Sequence, residues 1–289
     1  MKIKFIINPV SGTGKQKNIE QYIHKYCKYD FTISYTKEKN DASIISNKAI
    51  KEKYDAVIAV GGDGTLNECA KSLINSNTSL GVIPCGSGNG FAYHIGMSTD
   101  IKKAIIQLEK SKEELIDTCS VNDKKFINVS GIGFDAHIAH IFSNFKKRGF
   151  INYIKIVLRE LNYSPKKYKI SYNNKTRSVN AFFISFANAS QYGNNAKISP
   201  LAKINDGLID FVIVKKFPKW KIPIFIYYLM KGKLHQTKFI EIVRSDNIKI
   251  DSDDNFIHLD GEPVIIKDKL HIKLLKNSLK ILIPKNEKK

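Results

Sequence analysis

Residues 59–68 read AVGGDGTLNE, which sets three glycines, the Asp63 carboxylate and the Thr65 hydroxyl at the end of an apolar run. The run before them, Ala56-Val57-Ile58-Ala59-Val60, is short, continuous and rich in β-branched residues, the pattern of a strand buried on both faces of a parallel sheet. From Thr65 to Leu73 the residues favour helix, with Leu66, Ala70 and Leu73 at helical spacing. Gly61, Gly62 and Gly64 therefore occupy a strand-to-helix turn. Open α/β sheets bind phosphates at such turns, because glycine lets the main chain approach a ligand and the amides of the next helix attract anions. Gly-Asp-Gly is also ordinary turn chemistry, and one turn alone does not separate the two readings.

The flanking segments extend the pattern. IKFIIN (3–8), a helix near 17–27, FTISYT (31–36) and a helix near 41–53 precede the buried strand. That βαβα order predicts a parallel, doubly wound sheet. LGVIPCGSGNGFAYHIG (80–96) repeats the strand, glycine turn and helix. From about 118 the pattern changes to short alternating strands, among them KFINVSGIGF, KYKISYN, SVNAFFISFAN, LIDFVIV and IHLDGEPV. These predict a second, mostly antiparallel domain. One helix is expected to interrupt it at 149–162, where Phe150, Ile154, Val157 and Leu161 share a face. The closing LKILIP suits either domain, and the final PKNEKK reads as a disordered tail.

A chain of 289 residues is long enough for two ordinary domains. Its 43% hydrophobic and 26% charged residues are those of a soluble globular protein. The 47 Lys and Arg against 27 Asp and Glu leave a formal charge of +20. Such an excess points to a polyanionic partner, whether nucleotide, nucleic acid or anionic membrane, unless the solvated faces are simply lysine-rich. Cys27, Cys69, Cys85 and Cys119 form no CxxC, which argues against a zinc site or a disulfide framework and for a reducing compartment. The start, MKIKFIINPV, is too short in its apolar part for a secretory signal. The longest apolar stretch, IPIFIYYLM at 222–230, falls far below the roughly 20 residues that span a bilayer. A cytoplasmic protein is expected.

The other motifs are weaker one at a time. NPVSGTGK (8–15) follows the first strand, but Pro9 and Gln16 stand where a nucleoside-triphosphate loop needs Gly and Ser or Thr. GxGxxG is missing too, so a dinucleotide site is not supported. PCGSGNGFA (84–92) offers the Ser87 hydroxyl and the Asn89 amide with little bulk, groups that suit a purine or phosphate, or merely a glycine-rich helix start. In AKINDGLID (202–210) Asp206 can ligate a hard cation together with main-chain carbonyls. In HLDGEPV (258–264) Glu262 can act as a base. Either acid is equally at home in a solvated hairpin. The seven histidines make no HxxxH or HExxH, so surface or packing roles are favoured, and no GxSxG points to a serine hydrolase.

Taken in order, NPVSG, GGDGTLNE, PCGSGNGFA, GIGFDA, NDGLID and LDGEP together resemble the diacylglycerol kinase catalytic family, which includes soluble bacterial lipid kinases and the sphingosine and ceramide kinases. The resemblance covers nearly the whole chain. It implies an α/β nucleotide domain at 1–120 plus about 279–289, and an antiparallel β-sandwich lipid-substrate domain at 121–278, with the active site in the cleft between them. It further implies ATP and Mg²⁺ as cofactors, with ATP lined by Asn8, Pro9, Val10, Ser11, Gly12, Thr36, Gly61, Gly62, Asp63, Gly64, Thr65, Leu66, Asn67 and Ser87. Lys203 and Leu208 through carbonyls, with the Asp206 carboxylate, match a structural Mg²⁺ site of bacterial members. Glu262 matches the proton acceptor, and Asp63 and Asp117 match acids of the active-site polar network. One departure bears on substrate: GSGN is closer to the sphingosine kinase version of its turn than to the GTxND of bacterial members.

The expected reaction is phosphorylation of a membrane-lipid hydroxyl, with diacylglycerol first and a sphingoid base as the alternative. An NAD kinase shares GGDGT but not the GSGNGFA and LDGEP motifs. A non-catalytic binder of membrane or nucleic acid rests on charge alone, and the acids at 63, 206 and 262 argue against it. Expected partners are the lipid substrate and an anionic membrane surface, reversibly and peripherally, with no nucleic acid and with homo-oligomer formation left open. Candidate basic patches are Lys146-Lys147-Arg148, Lys166-Lys167-Lys169 and the segment Lys215 to Lys233, where lysines alternate with Phe217, Trp220 and an apolar run as in an interfacial helix, or as in a core helix with cationic ends.

Overall fold

The computed structural model describes residues 1–12, 18–145 and 150–285. Residues 13–15 of the first glycine stretch, the Lys146-Lys147-Arg148 patch, the Phe150 side chain and the tail from 286 lie outside the described residues. The chain divides into two compact units, Met1–Ile116 with Asn277–Lys289, and Asp117–Lys276.

The first unit begins with β1 (Lys2–Ile7), α1 (Ile19–Tyr26), β2 (Asp30–Tyr35), α2 (Asp41–Lys51), β3 (Ala56–Gly61) and α3 (Asp63–Leu73). It continues with β4 (Ser79–Pro84), the short α4 (Gly90–His94) and α5 (Ile101–Glu109). Its strands are parallel in the order β2-β1-β3-β4. Every residue of β3 and β4 is buried, which requires cover on both faces of the sheet. The helices supply it as two pairs, α1 with α5 and α2 with α3. Helix α3 starts two residues before the Thr65 that spacing indicates, because Gly62 takes the extended N-cap position and draws Asp63 into the first turn.

Strand β5 (Lys112–Val121) leads into the second unit. There follow β6 (Lys124–Phe126), β7 (Val129–Gly133), α6 (Phe134–Ser143), α7 (Phe150–Arg159), β8 (Lys166–Tyr172), β9 (Lys175–Ala181), β10 (Phe183–Ala187) and β11 (Ile209–Val214). Helix α8 (Ile222–Lys231), β12 (Ile240–Ser245), β13 (Asn247–Asp251), β14 (Phe256–Leu259), β15 (Glu262–Ile265) and β16 (Leu270–Ile283) complete the chain. Six strands form one antiparallel sheet, β12-β11-β10-β7-β14-β15. The other antiparallel series runs from the start of β16 through β13 and β8 to β9. A buried cluster joins the two series, with Tyr168, Ile250 and Ile272 from one and Ile132, Phe186 and Phe211 from the other. The unit is thus a β-sandwich carrying three α-helices among its described residues, where the sequence indicates one at 149–162 and a second candidate within Lys215 to Lys233. Helix α6 escapes the strand count because GIGFDAHIAHIF is apolar through its turn and shows no break. The last strand leaves the sandwich at Lys276, and its end pairs in parallel with β4, Ile281 opposite Leu80.

Candidate active site

In the first unit the strand order 2-1-3-4 reverses direction between β1 and β3, and open α/β sheets bind ligands at the carboxyl ends of strands at such a point. Both strands end there in a glycine turn, and β4 ends in a third. The three turns touch backbone to backbone. A methyl group on Gly86 would lie 2.5 Å from Gly62 Cα, and one on Gly12, at φ +64°, would lie 2.1 Å from the Cys85 carbonyl oxygen. Only glycine permits that approach.

Side chains brace the same place. Asn8 Nδ2 donates to Thr65 Oγ1 (3.1 Å), Asn8 Oδ1 accepts the Val10 amide (3.1 Å), and Ser11 Oγ donates to the Asn8 carbonyl (3.1 Å). The Thr36 amide donates to the Ile7 carbonyl at 3.0 Å, tying the end of β2 to β1. Pro9, Val10 and Ser87 stand exposed, whereas Thr36, Thr65 and Asn67 are buried. The Leu66 side chain belongs to the core and its amide is spent on Gly62. Gly64 faces open space, with no atom within 4 Å of an added methyl. The N-cap of α3, Gly62, brings no side chain to the helix start, the end of a helix that attracts anions.

Asp63 is engaged differently from a free acid. Its Oδ2 accepts the Asn89 amide at 2.8 Å, while Oδ1 is buried with no partner in hydrogen-bond geometry. Burial pushes its carboxyl up, against the Asn89, Gly90 and Phe91 amides, which pull it down. The Asn89 side chain, which from sequence suits either a ligand contact or a glycine-rich helix start, is occupied at both ends: Oδ1 accepts the Gly86 amide (3.0 Å) and Nδ2 donates to the Gly86 carbonyl (2.8 Å). Asn89 shapes the turn.

The sites of the second unit are organised around two loops. Asp117, 2% exposed, receives the Gly207 amide on Oδ2 (2.8 Å), and its own amide donates to Ile204 (2.6 Å). It therefore clamps the loop that carries Lys203, Asp206 and Leu208. In that loop Asp206 Oδ1 accepts the Leu208 amide at 3.1 Å and Oδ2 is paired with Arg244, whose Nε also reaches buried Asp210 (2.9 Å). Lys203 is exposed. Among the described residues no cluster of three metal-ligating side chains occurs. The Asp206 carboxylate is thus held between the loop's own backbone and the Arg244 guanidinium.

Glu262 opens β15 just after the Asp260-Gly261 turn, both residues of which have positive φ. Asp260 accepts the Asn128 amide (2.8 Å) and the Ile127 amide (3.0 Å). The Gly261 amide donates to His258 Nδ1 at 3.2 Å, so that nitrogen carries no proton and Nε2–H donates to Asp135 Oδ2 (3.1 Å). Ser185 and Tyr192 also donate to that oxygen, each at 3.2 Å. The Glu262 hairpin thus rests on a buried polar network of Asp135, His258, Ser185 and Tyr192. The Asp in GIGFDA and the His in HLDGEPV carry it, although spacing alone assigns His258 a packing role. Of the other histidines, His137 meets Glu160 (3.0 Å) and His140 packs on Phe256.

Comparison with known proteins decides the family. Residues 2–121 match the diacylglycerol kinase catalytic domain, and residues 128–282 match the YegS C-terminal NAD kinase beta sandwich-like domain. This chain belongs to the diacylglycerol kinase catalytic family. A relative named diacylglycerol kinase, from Bacillus subtilis, is 26% identical over 274 residues, 90% of this chain and 89% of that protein. A YegS-like lipid kinase relative from Chromohalobacter salexigens is 27% identical over 243 residues, 81% and 78% of the two chains. A Bacillus anthracis crystal structure carrying the diacylglycerol kinase name matches the fold with a TM-score of 0.77 at 23% identity, over 99% of this chain and 97% of its own. Within this kinase family, Asn8, Gly12, Gly62, Asp63 and Thr65 come together at the strand ends of the first unit, while Asp117, Asp206 and Glu262 belong to the second.

Proposed function

We propose that this kinase-family chain transfers the γ-phosphate of Mg-ATP to the hydroxyl of a membrane lipid, with diacylglycerol as acceptor and phosphatidic acid as product. The observation that carries the reading is the backbone contact of three glycine turns at the sheet's switch point, beside an uncapped helix start. Phosphoryl transfer needs little from a protein beyond positioning and charge stabilisation, and bare amides supply both without bulk. Asn8 to Gly12, Thr36, Gly61 to Thr65, Asn67 and Ser87 hold ATP in this reading.

The orphaned, buried Asp63 Oδ1 fits the Mg²⁺ that arrives with ATP, a hard cation that binds through a carboxylate and phosphate oxygens. That ion supplies neutralisation of the charge that develops on the phosphates. Asn89, through its amide, keeps the Asp63 carboxylate pointed. Glu262 accepts the acceptor's proton as the O–P bond forms, since a carboxylate cannot deprotonate an alcohol beforehand. Asp117 acts through the 202–210 loop, as a positioning residue. No step is assigned to a cation in that loop. Protein lacking a base loses about 10²- to 10⁴-fold in rate. Glu262→Gln is therefore expected to lower turnover by that factor with ATP binding unchanged, and wild-type turnover in this variant would remove the base assignment.

The GSGN turn favours a second acceptor, a sphingoid base. One experiment separates the two: transfer of labelled γ-phosphate from Mg-ATP to diacylglycerol, monoacylglycerol, sphingoid base and ceramide in mixed micelles, with NAD as soluble control. Label in diacylglycerol is expected. Label in the sphingoid base selects the second reading, and label in NAD alone overturns both.

A further inference from the structure

We propose that helix α8 and its surrounding lysines form a docking surface for an anionic bilayer. Nine of the ten residues of α8, IPIFIYYLMK, are apolar or aromatic, yet none of them is buried. One face turns inward, where Phe225, Tyr228 and Leu229 pack on the cluster of Val212, Val214 and Leu234, and Phe217 stacks on Phe225 at 4.9 Å. The opposite face is bare. Ile224 is 46% exposed, Tyr227 58%, Met230 40%, and Trp220, just before the helix, 71%. A helix that is apolar all round belongs in a core or in lipid, and a contiguous exposed apolar patch marks an interaction surface.

Charge selects the occupant. Between Phe211 and Ile240 there are seven lysines and no carboxylate. Lys216, Lys219, Lys231 and Lys233 are exposed at the two ends of the helix, and Lys221 lies over the Trp220 ring at 4.9 Å. A second copy of the chain would bring the same lysines to the contact, and like charges oppose such a pairing. An anionic bilayer satisfies both parts, taking apolar side chains below its head groups and lysines among them. At about 1.5 Å per residue, α8 is roughly 15 Å long, half the hydrocarbon thickness, so it lies in the plane of the interface. This deepens the lipid-kinase reading and rests on it for its purpose only.

Trp220 is the one tryptophan in the chain, so its emission reports on this surface alone. The test titrates the full-length protein, without ATP or acceptor lipid, with vesicles of phosphatidylcholine, pure or mixed with phosphatidylglycerol. A blue shift with the anionic vesicles only, quenched by brominated acyl chains and lost in high salt, is expected. Lys216→Gln and Lys233→Gln are each expected to weaken binding about fivefold. Ile224→Glu with Tyr227→Glu is expected to abolish the shift while the melting temperature holds, and should that variant misfold, the quenching of the wild-type protein decides. Three results overturn the proposal: no shift with anionic vesicles, an equal shift with pure phosphatidylcholine, or a shift produced by raising protein concentration alone. A protein that docks but transfers no phosphate would fail the kinase reading and leave the surface standing.

Discussion

Asp63 sits where burial works against a negative charge. Burial raises its carboxyl pKa, so the folded chain binds that proton more tightly than the unfolded one. The group's favourable contribution is present below the ordinary carboxylate value near 3.8 and is lost as pH rises through the raised folded value. Asp63→Asn keeps an acceptor for the Asn89 amide without the charge. It is expected to melt above wild type at pH 7 and to transfer phosphate more slowly. The difference in melting should close in acid, and a variant melting lower at pH 7 would show that the amide needs the full charge. His94 has the opposite sign. Burial pushes it down to about 4 from 6.5, so its contribution is complete above about pH 6.5 and drains away as pH falls towards 4. His94→Gln is expected to flatten that part of the stability curve by on the order of 3 kcal/mol, measured by denaturant melts across the range.

Among elements, the glycine turns divide into those that carry the fold and those that leave room. A methyl on Gly86 meets the Gly62 backbone, whereas one on Gly64 meets nothing. Gly86→Ala is therefore expected to lower both the melting temperature and ATP affinity. Gly64→Ala, in the first turn of α3, is expected to hold or raise stability by up to about 1 kcal/mol and to weaken ATP alone, as calorimetry can read. Much of this is legible in the amino-acid sequence by itself. The apolar run 56–60 and the three glycine turns are local patterns, and strand ends follow from them. What sequence does not disclose are pairings across long separations: Asp63 with Asn89, Asp117 with Gly207, Asp206 with Arg244 and Asp135 with His258. Each joins residues whose own neighbours give no sign of a partner, so sequence leaves Asn89 open between a ligand contact and a helix start, and gives His258 no more than a surface or packing role. Helix α6 is hidden for a related reason, since its run is apolar on both sides of its turn and no period stands out.

For the whole molecule the last strand matters most. Leu279 and Ile281 are fully buried in the first unit and Leu282 nearly so, the Asn75 amide donates to the Ser278 carbonyl at 2.7 Å, and Lys280 pairs with Glu113. Three such apolar side chains contribute about 5–9 kcal/mol, comparable with the entire stability of a domain. A chain ending at Lys276 is expected to lose the melting transition and ATP binding of the first unit while the second still melts cooperatively, and calorimetry of the two chains checks this. Synthesis runs from the first residue to the last, and domains ordinarily fold in that order. Here the unit translated first waits for Asn277–Lys289, translated after the whole of the second unit, whereas Asp117–Lys276 is one uninterrupted stretch. The sandwich is thus able to fold on the ribosome while β1 to β4 still lack a neighbour, and the first unit becomes complete only after the segment that follows Lys276 has been made.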